Sequence, residues 1–215
     1  MSRPESKPLP RGSTLRVISR VALPTRYGAF EAVTFDPAET DGREHIALVR
    51  GDVDGADAVL VRVQSECLTG EVLGSLRCDC RDQLELSMRD LGTRDQGVLL
   101  YLRQEGRGIG LVDKIRAYEL QAQGRDTVEA NLELGYTDDP REYDVAAAML
   151  RSLGVASVLL LTNNPLKLFG LRKYGIDVVG RVPIITPVTD ENRDYLRTKQ
   201  VRSGHLLNID GGGKS

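Results

Sequence analysis

A mixed α and β fold is predicted (α/β class), with a β-rich, largely antiparallel first part followed by a mixed sheet covered by helices. Two observations carry this expectation. Before residue 80, short apolar runs at 17–21, 30–35, 46–49 and 58–63 are broken by Pro24, Gly28, Pro37, Gly42, Gly51 and Gly55, the spacing of strands joined by turns. Beyond residue 80 the apolar period lengthens. Leu84, Met88 and Leu91 stand at i, i+4 and i+7 ahead of Gly92, which reads as a helix with its stop signal. The continuous runs GVLLYL (97–102) and SVLLLT (157–162) then alternate with helical patterns at 111–121 and 143–153, and such alternation implies a parallel or mixed sheet. Pro165 is placed to begin a further helix. Residues 1–15, with three prolines, and residues 209–215 are poor in apolar side chains and are expected to be flexible tails around one unit at 16–208.

Composition narrows the function class. The 215 residues carry 29 Lys+Arg against 31 Asp+Glu, a formal net charge of −2, with 40% hydrophobic residues. Near-neutral charge, 5% aromatic residues and no Trp argue against a dedicated nucleic-acid binder, which needs a basic stripe with stacking rings. No apolar run approaches the ~18 residues of a membrane span, and the polar start MSRPESKPLPRGS is unlike a signal peptide, so a cytoplasmic protein working on a small molecule is expected.

Three cysteines, Cys67, Cys78 and Cys80, fall within SECLTGEVLGSLRCDC (65–80). Cys78 and Cys80 are too close in sequence for a comfortable disulfide. In a strand they would share a face and in a turn they could converge, so one metal can take both sulfurs with Cys67 closing the site; the alternative is three small buried hydrophobes. Zinc suits three thiolates, and with no fourth cysteine the remaining position would fall to water, as in a catalytic site. Three thiolates around a dication leave a formal charge of −1, which makes bound water less acidic and calls for a nearby proton acceptor or an electrophilic substrate.

The segment RQEGRGIGL (103–111) leaves an apolar run and leads into a helical pattern, with Gly106, Gly108 and Gly110 letting backbone N–H groups approach an anion and Arg103 and Arg107 adding charge. It reads as a phosphate cradle or a flexible turn, and it matches neither the dinucleotide fingerprint nor the P-loop. LLTNNPLK (160–167) crowds Thr162, Asn163, Asn164 and Lys167 at the carboxyl end of a strand, the usual ligand side of an open sheet, or else forms a capping turn with a solvated lysine.

Taken together, RVQSECLTG, SLRCDC, QEGRGIGL, KIRAY, DTVEAN, LLTNNP and RVPI resemble, in order and spacing, the GTP cyclohydrolase II family over about residues 17–208. The resemblance implies hydrolytic opening of the guanine imidazole ring of GTP with release of formate and pyrophosphate, the first step of riboflavin biosynthesis. It implies Zn²⁺ on Cys67, Cys78 and Cys80, Mg²⁺ with the triphosphate, and a homodimer. GTP would be held by Arg62, Val63, Gln64, Ser65, Glu66, Gln83, Glu105, Gly106, Arg107, Thr127, Thr162 and Lys167. Asp139 would be the proton acceptor, Arg141 a catalytic arginine and Tyr118 a further catalytic position. A guanidinium with a pKa above ~12 suits charge stabilisation at the α-phosphate better than covalent attack. A relative that stops at the formylated ring-opened product, and a noncatalytic zinc-stabilised nucleotide-binding module, are the competing readings. Many relatives carry Gly after the CDC motif. Here Arg81 follows, either offsetting the thiolate charge or facing solvent.

Overall fold

The structure is a computed structural model and describes residues 8–125, 127–136, 142–202 and 204–207. Strands β1 (Val17–Thr25), β2 (Gly28–Phe35), β3 (Ile46–Arg50), β4 (Val59–Ser65), β5 (Gly97–Leu102), β6 (Ser157–Leu161) and β7 (Asp177–Val182) form one sheet in the order β1-β2-β3-β5-β4-β6-β7. The pairs β1/β2, β2/β3 and β3/β5 are antiparallel, whereas β5, β4, β6 and β7 run parallel. Strand β4, expected within the antiparallel part, is therefore parallel to both neighbours. Its first six residues are all buried, as a strand covered on both faces requires.

The helices are α1 (Cys80–Gly92), α2 (Leu111–Ala122), α3 (Thr127–Glu133), α4 (Asp144–Ser152), α5 (Pro165–Lys173) and α6 (Arg193–Val201). Alternation along the parallel strands divides the core. Val61, Val63, Val98, Leu100, Val158 and Leu160 pack with Ala146, Ala147, Met149 and Leu150 of α4, and Leu171 of α5 joins the same cluster. Leu60, Leu99 and Leu161 pack with Met88 and Leu91 of α1 on the opposite face. Gly97 lets α1 lie close: a Cβ there would stand 2.6 Å from Leu91 Cδ2. The helices expected from Leu84, Met88 and Leu91 and from Pro165 are α1 and α5, with Asn164 accepting the Leu166 N–H as the cap ahead of Pro165.

Residues 9–15 are fastened to α4. The Leu9 N–H donates to Asp144 Oδ2 at 2.7 Å, the Leu15 N–H donates to Ser152 Oγ at 2.7 Å, and Leu15 is 4% exposed. Two well-spaced leucines are enough to seat a Pro-rich segment that composition alone assigns to a tail. Residues 1–7 and 209–215 lie outside the described residues. Among the described residues, no helix is long and apolar enough to cross a membrane.

His45, just before β3, is buried and its Nδ1 accepts the Arg103 N–H at 3.1 Å just after β5. Burial, with Arg43 and Arg103 nearby, pushes its pKa down to about 4. A histidine held neutral contributes stability that is complete above its unfolded pKa of 6.5 and is lost as pH falls toward 4. We expect the unfolding free energy to drop by up to about 3 kcal/mol over that window. His45→Asn, which keeps an acceptor at the same place without titrating there, should flatten this part of the profile; denaturant melts between pH 7 and pH 4 check it.

Candidate active site

The carboxyl ends of β4, β5 and β6 open into a cavity of about 930 Å³, within the range of ligand pockets. Strands β4 and β6 lie side by side, and the chain reaches β5 and β6 by helices on opposite faces of the sheet, the arrangement that leaves a crevice at strand ends. Arg62 and Gln64 alternate with the core valines and so face α1. The Arg62 guanidinium, 3% exposed, donates to Gln64 Oε1 at 2.6 and 3.0 Å, to the Leu161 carbonyl at 3.1 Å and to Gln83 Oε1 at 2.7 Å. Burial pushes its pKa down to about 10, and the charge survives at neutral pH.

Beyond β4 the chain enters a π-helical turn at Leu68–Val72 that folds Cys67 back against the start of α1. The sulfurs of Cys67, Cys78 and Cys80 all lie within 4.8 Å of one another, with Cys67 and Cys78 at 3.7 Å. Two sulfurs each about 2.3 Å from one tetrahedral zinc stand about 3.8 Å apart, so the triangle has the size that ion needs. Cys78 follows a turn at 76–77 and Cys80 opens α1, so the pair converges across the bend at Asp79 and not along a strand. Without a cation the cluster resists full ionisation. Bonds from the Cys78 and Cys80 thiols, together with Lys114, pull the Cys67 pKa down, while hydrogen bonding with Cys67 pushes those of Cys78 and Cys80 up. A divalent ion removes that conflict, and the donor set therefore fits zinc.

Gly70 lies directly against the sulfurs. A Cβ at this position would stand 2.7 Å from Cys78 Sγ and 3.2 Å from Cys67 Sγ.

Charges around the sulfurs come from unexpected residues. Lys114 Nζ lies 3.1 Å from Cys67 Sγ and 2.7 Å from Glu105 Oε1; burial opposes its charge, but Glu105 and Cys67 raise its pKa overall. Lys199 of α6 forms a buried pair with Asp79 at 2.9 Å, which holds it protonated against the cost of burial. Asp79 also accepts from Gln83 Nε2 at 2.6 Å and Thr186 Oγ1 at 3.0 Å. Arg81 faces outward and pairs with Glu85, so of the two alternatives for Arg81 the structure selects the solvent side.

The cradle at 103–111 is built as a tight turn. A short 3-10 turn, Glu105–Gly108, precedes α2, with Gly106, Gly108 and Gly110 all at positive φ. Glu105 accepts the Leu68 N–H at 2.6 Å and the Gly106 N–H at 2.8 Å, which locks the cradle to the cysteine loop. Tyr118 projects from α2 with its hydroxyl 3.4 Å from Thr69 Oγ1 and the Arg77 guanidinium 5.0 Å from its ring centre. Burial raises its pKa, so the phenol keeps its proton. At the end of β6, Thr162 Oγ1 accepts the Asn164 N–H at 3.0 Å, and Lys167, which is buried and not solvated, donates to the Val63 carbonyl at 2.6 Å.

The cavity thus brings together Arg62, Gln64, Ser65, Glu66, the three cysteines, Gln83, Glu105, Gly106, Tyr118, Thr162 and Lys167. Val63 does not join them: its side chain is wholly buried in the α4 face of the core and only its carbonyl turns toward Lys167. Asp139 and Arg141 lie outside the described residues, and of Arg107 and Thr127 only the backbone is described. Four groups were missed in the sequence. Glu71, which accepts from Gln64 Nε2 at 2.6 Å and Tyr101 Oη at 2.5 Å, stands four residues after Cys67. Lys114 stands one helical turn before Tyr118 in KIRAY, and Asp79 lies between two cysteines. Lys199 carries no local signal.

Fold and site together define an α/β protein with three clustered cysteines, spaced to hold one metal ion, beside a cavity at parallel strand ends. The sequence profile of GTP cyclohydrolase II matches residues 16–183, and the chain belongs to that family. It is 54% identical over 185 residues to the monofunctional riboflavin biosynthesis protein RIBA 3, chloroplastic, of Arabidopsis thaliana, covering 86% of this chain and 36% of that protein. It is 51% identical over 201 residues to a chloroplastic RIBA 3 protein of Oryza sativa subsp. japonica, covering 93% and 37%. It is 52% identical over 189 residues to the riboflavin biosynthesis protein RibBA of Bacillus cereus (strain AH187), covering 88% and 47%. The chain therefore spans less than half the length of these relatives. Among solved structures, a two-domain 3,4-dihydroxy-2-butanone 4-phosphate synthase from A. baumannii is similar at a TM-score of 0.44 and 19% identity, over 80% of this chain and 41% of that one.

We expect Gly70→Ala to leave the fold intact and to weaken zinc retention at least about tenfold, because the added methyl must displace two ligand sulfurs. Metal analysis after dialysis against a chelator, beside a circular dichroism spectrum, checks it.

Proposed function

We propose that this protein opens the guanine imidazole ring of GTP by hydrolysis, releasing formate and pyrophosphate to leave 2,5-diamino-6-ribosylamino-4(3H)-pyrimidinone 5′-phosphate, as the first step of riboflavin biosynthesis. The observation that supports this best is the cysteine triangle, sized for zinc, opening into a cavity bordered by residues matching the family's GTP contacts. Zinc on Cys67, Cys78 and Cys80 would supply the Lewis acidity that readies water for attack at the carbon between the two imidazole nitrogens.

The remaining steps fall to the chain's own groups. Arg62 and Gln64 are held rigidly by Gln83 and Glu71, so donors and acceptors facing the nucleotide are pre-oriented. Tyr118, with a phenol that stays protonated, donates to a ring nitrogen as the carbon–nitrogen bond breaks. Lys167 and Arg107 neutralise the triphosphate as the α–β anhydride bond is cleaved, to which a phosphate-bound Mg²⁺ would add positive charge, and Arg141 stabilises charge on the α-phosphate. Asp139 accepts the proton of the attacking water. The three thiols suit a reducing compartment, the cytoplasm in our reading, and the working unit is a homodimer.

Incubating the zinc-loaded chain with GTP and Mg²⁺, and identifying products by mass spectrometry, tests the proposal. The ring-opened deformylated product supports it. Unchanged GTP, or a formylated product alone, overturns it in whole or in its second half. Cys78→Ser should lose both metal and ring opening, because a hydroxyl cannot replace a thiolate. Tyr118→Phe should keep GTP affinity and pyrophosphate release while free formate falls well below pyrophosphate; equal amounts at the wild-type rate would show the hydroxyl idle. Lys167→Ala should weaken GTP binding by about 1.5–3 kcal/mol, read as a raised Michaelis constant.

A further inference from the structure

The family match ends at residue 183, yet one wall of the cavity is made by residues beyond it. Helix α6 presents Tyr195, Arg197, Thr198 and Lys199 to the cavity that holds the cysteines and Gln83. Three attachments hold it there. Leu196 is 2% exposed, the Leu206 N–H after the helix donates to the Asn163 carbonyl at 2.8 Å, and Lys199 reaches Asp79.

The last of these is unlike a surface ion pair. The side chains of Lys199 and Asp79 are 9% and 0% exposed, and the ammonium also lies 4.2 Å from the ring centre of Tyr195. A carboxylate placed there without a cation would be strongly disfavoured. Asp79 is joined by one peptide bond to each of Cys78 and Cys80, so its position sets both sulfurs. Its second oxygen holds Gln83 at 2.6 Å, and Gln83 in turn holds Arg62. Three thiolates beside a buried carboxylate form a dense negative cluster. Lys114 answers it on the Cys67 side, and Lys199 is the only cation ion-paired with Asp79 among the described residues.

We infer that Lys199 is a positioning residue of the site, acting through Asp79 on the turn that carries Cys78 and Cys80 and on Gln83, with α6 an integral wall of the catalytic unit. This rests on the zinc and GTP reading above. Removing the ammonium leaves Asp79 without its ion-pair partner, held only by Gln83 and Thr186 and by the more distant charge of Arg62, so the turn relaxes away from the geometry that suits one tetrahedral ion and carries Gln83 with it.

The test uses the full chain and its Lys199→Met, Lys199→Arg and Thr186→Val variants, with zinc and cobalt(II) as the probes. Zinc affinity is read by competition with a chromophoric chelator, cobalt coordination by its thiolate charge-transfer and d–d absorption, and GTP turnover by its Michaelis constant. Lys199→Met should weaken zinc about tenfold or more, alter the cobalt d–d bands and raise the Michaelis constant for GTP. Lys199→Arg, which keeps the charge, should recover most of the zinc affinity. Thr186→Val, which removes one hydrogen bond to the same carboxylate, should shift all three readouts in the same direction by a smaller factor, and it carries the test should Lys199→Met not fold. Folded variants with wild-type zinc affinity and cobalt spectrum overturn the inference. A wild-type chain that takes up neither metal overturns the zinc reading itself, a result distinct from normal uptake by wild type and variants alike.

Discussion

A guanidinium buried in the middle of the sheet has to be satisfied by protein groups, and satisfying Arg62 assembles much of the site. Its four hydrogen bonds fix Gln64, Gln83 and the end of β6. Gln64 passes its amide to Glu71, which also takes the Tyr101 hydroxyl, and Gln83 passes its amide to Asp79 and so to Lys199. Each member is polarised by the next, and none could be removed without stranding a buried polar group. The cost of burying one charge thus becomes rigidity across the floor of the cavity.

Around the thiolates the same economy recurs. Of the two roles open to Arg81 in the sequence, tempering a formal −1 charge or facing solvent, the structure takes the second, because a side chain one residue past Cys80 follows the helix outward and meets Glu85 one turn on. The compensating cations come instead from α2 and α6, elements distant in sequence that only the fold brings near. Glu105 serves both sides of this arrangement. Its carboxylate ties the cysteine loop to the cradle through the Leu68 and Gly106 N–H groups while it orients Lys114.

What was legible in the sequence followed apolar period and local chemistry. Strands β5 and β6 were visible because their residues are apolar on both faces, and α1 and α5 because leucine spacing or an Asn-Pro cap announces them. The cysteine triangle was legible because few side chains at that spacing have another use. Strand direction was not, since period two is the same for parallel and antiparallel neighbours, and so the run at 58–63 was read with the antiparallel part although β4 is parallel to both neighbours. Strand β7 was missed because Asp177 and Arg181 interrupt its valines, and α6 because Leu196 is its one deeply buried apolar side chain. Lys199 was illegible for the same reason: a lysine in a polar helix gives no hint of a carboxylate 120 residues away.

Strand β4 writes two messages on one peptide. Its odd positions, Val59, Val61 and Val63, are stability; its even positions from 62 onward, Arg62 and Gln64, are chemistry. Inserting a single residue ahead of Arg62 would exchange them, sending a guanidinium into the packing against α4 and a valine toward the cavity. The pleat of β4 therefore fixes the residue count from Val59 to Ser65 as firmly as the side chains fix its composition.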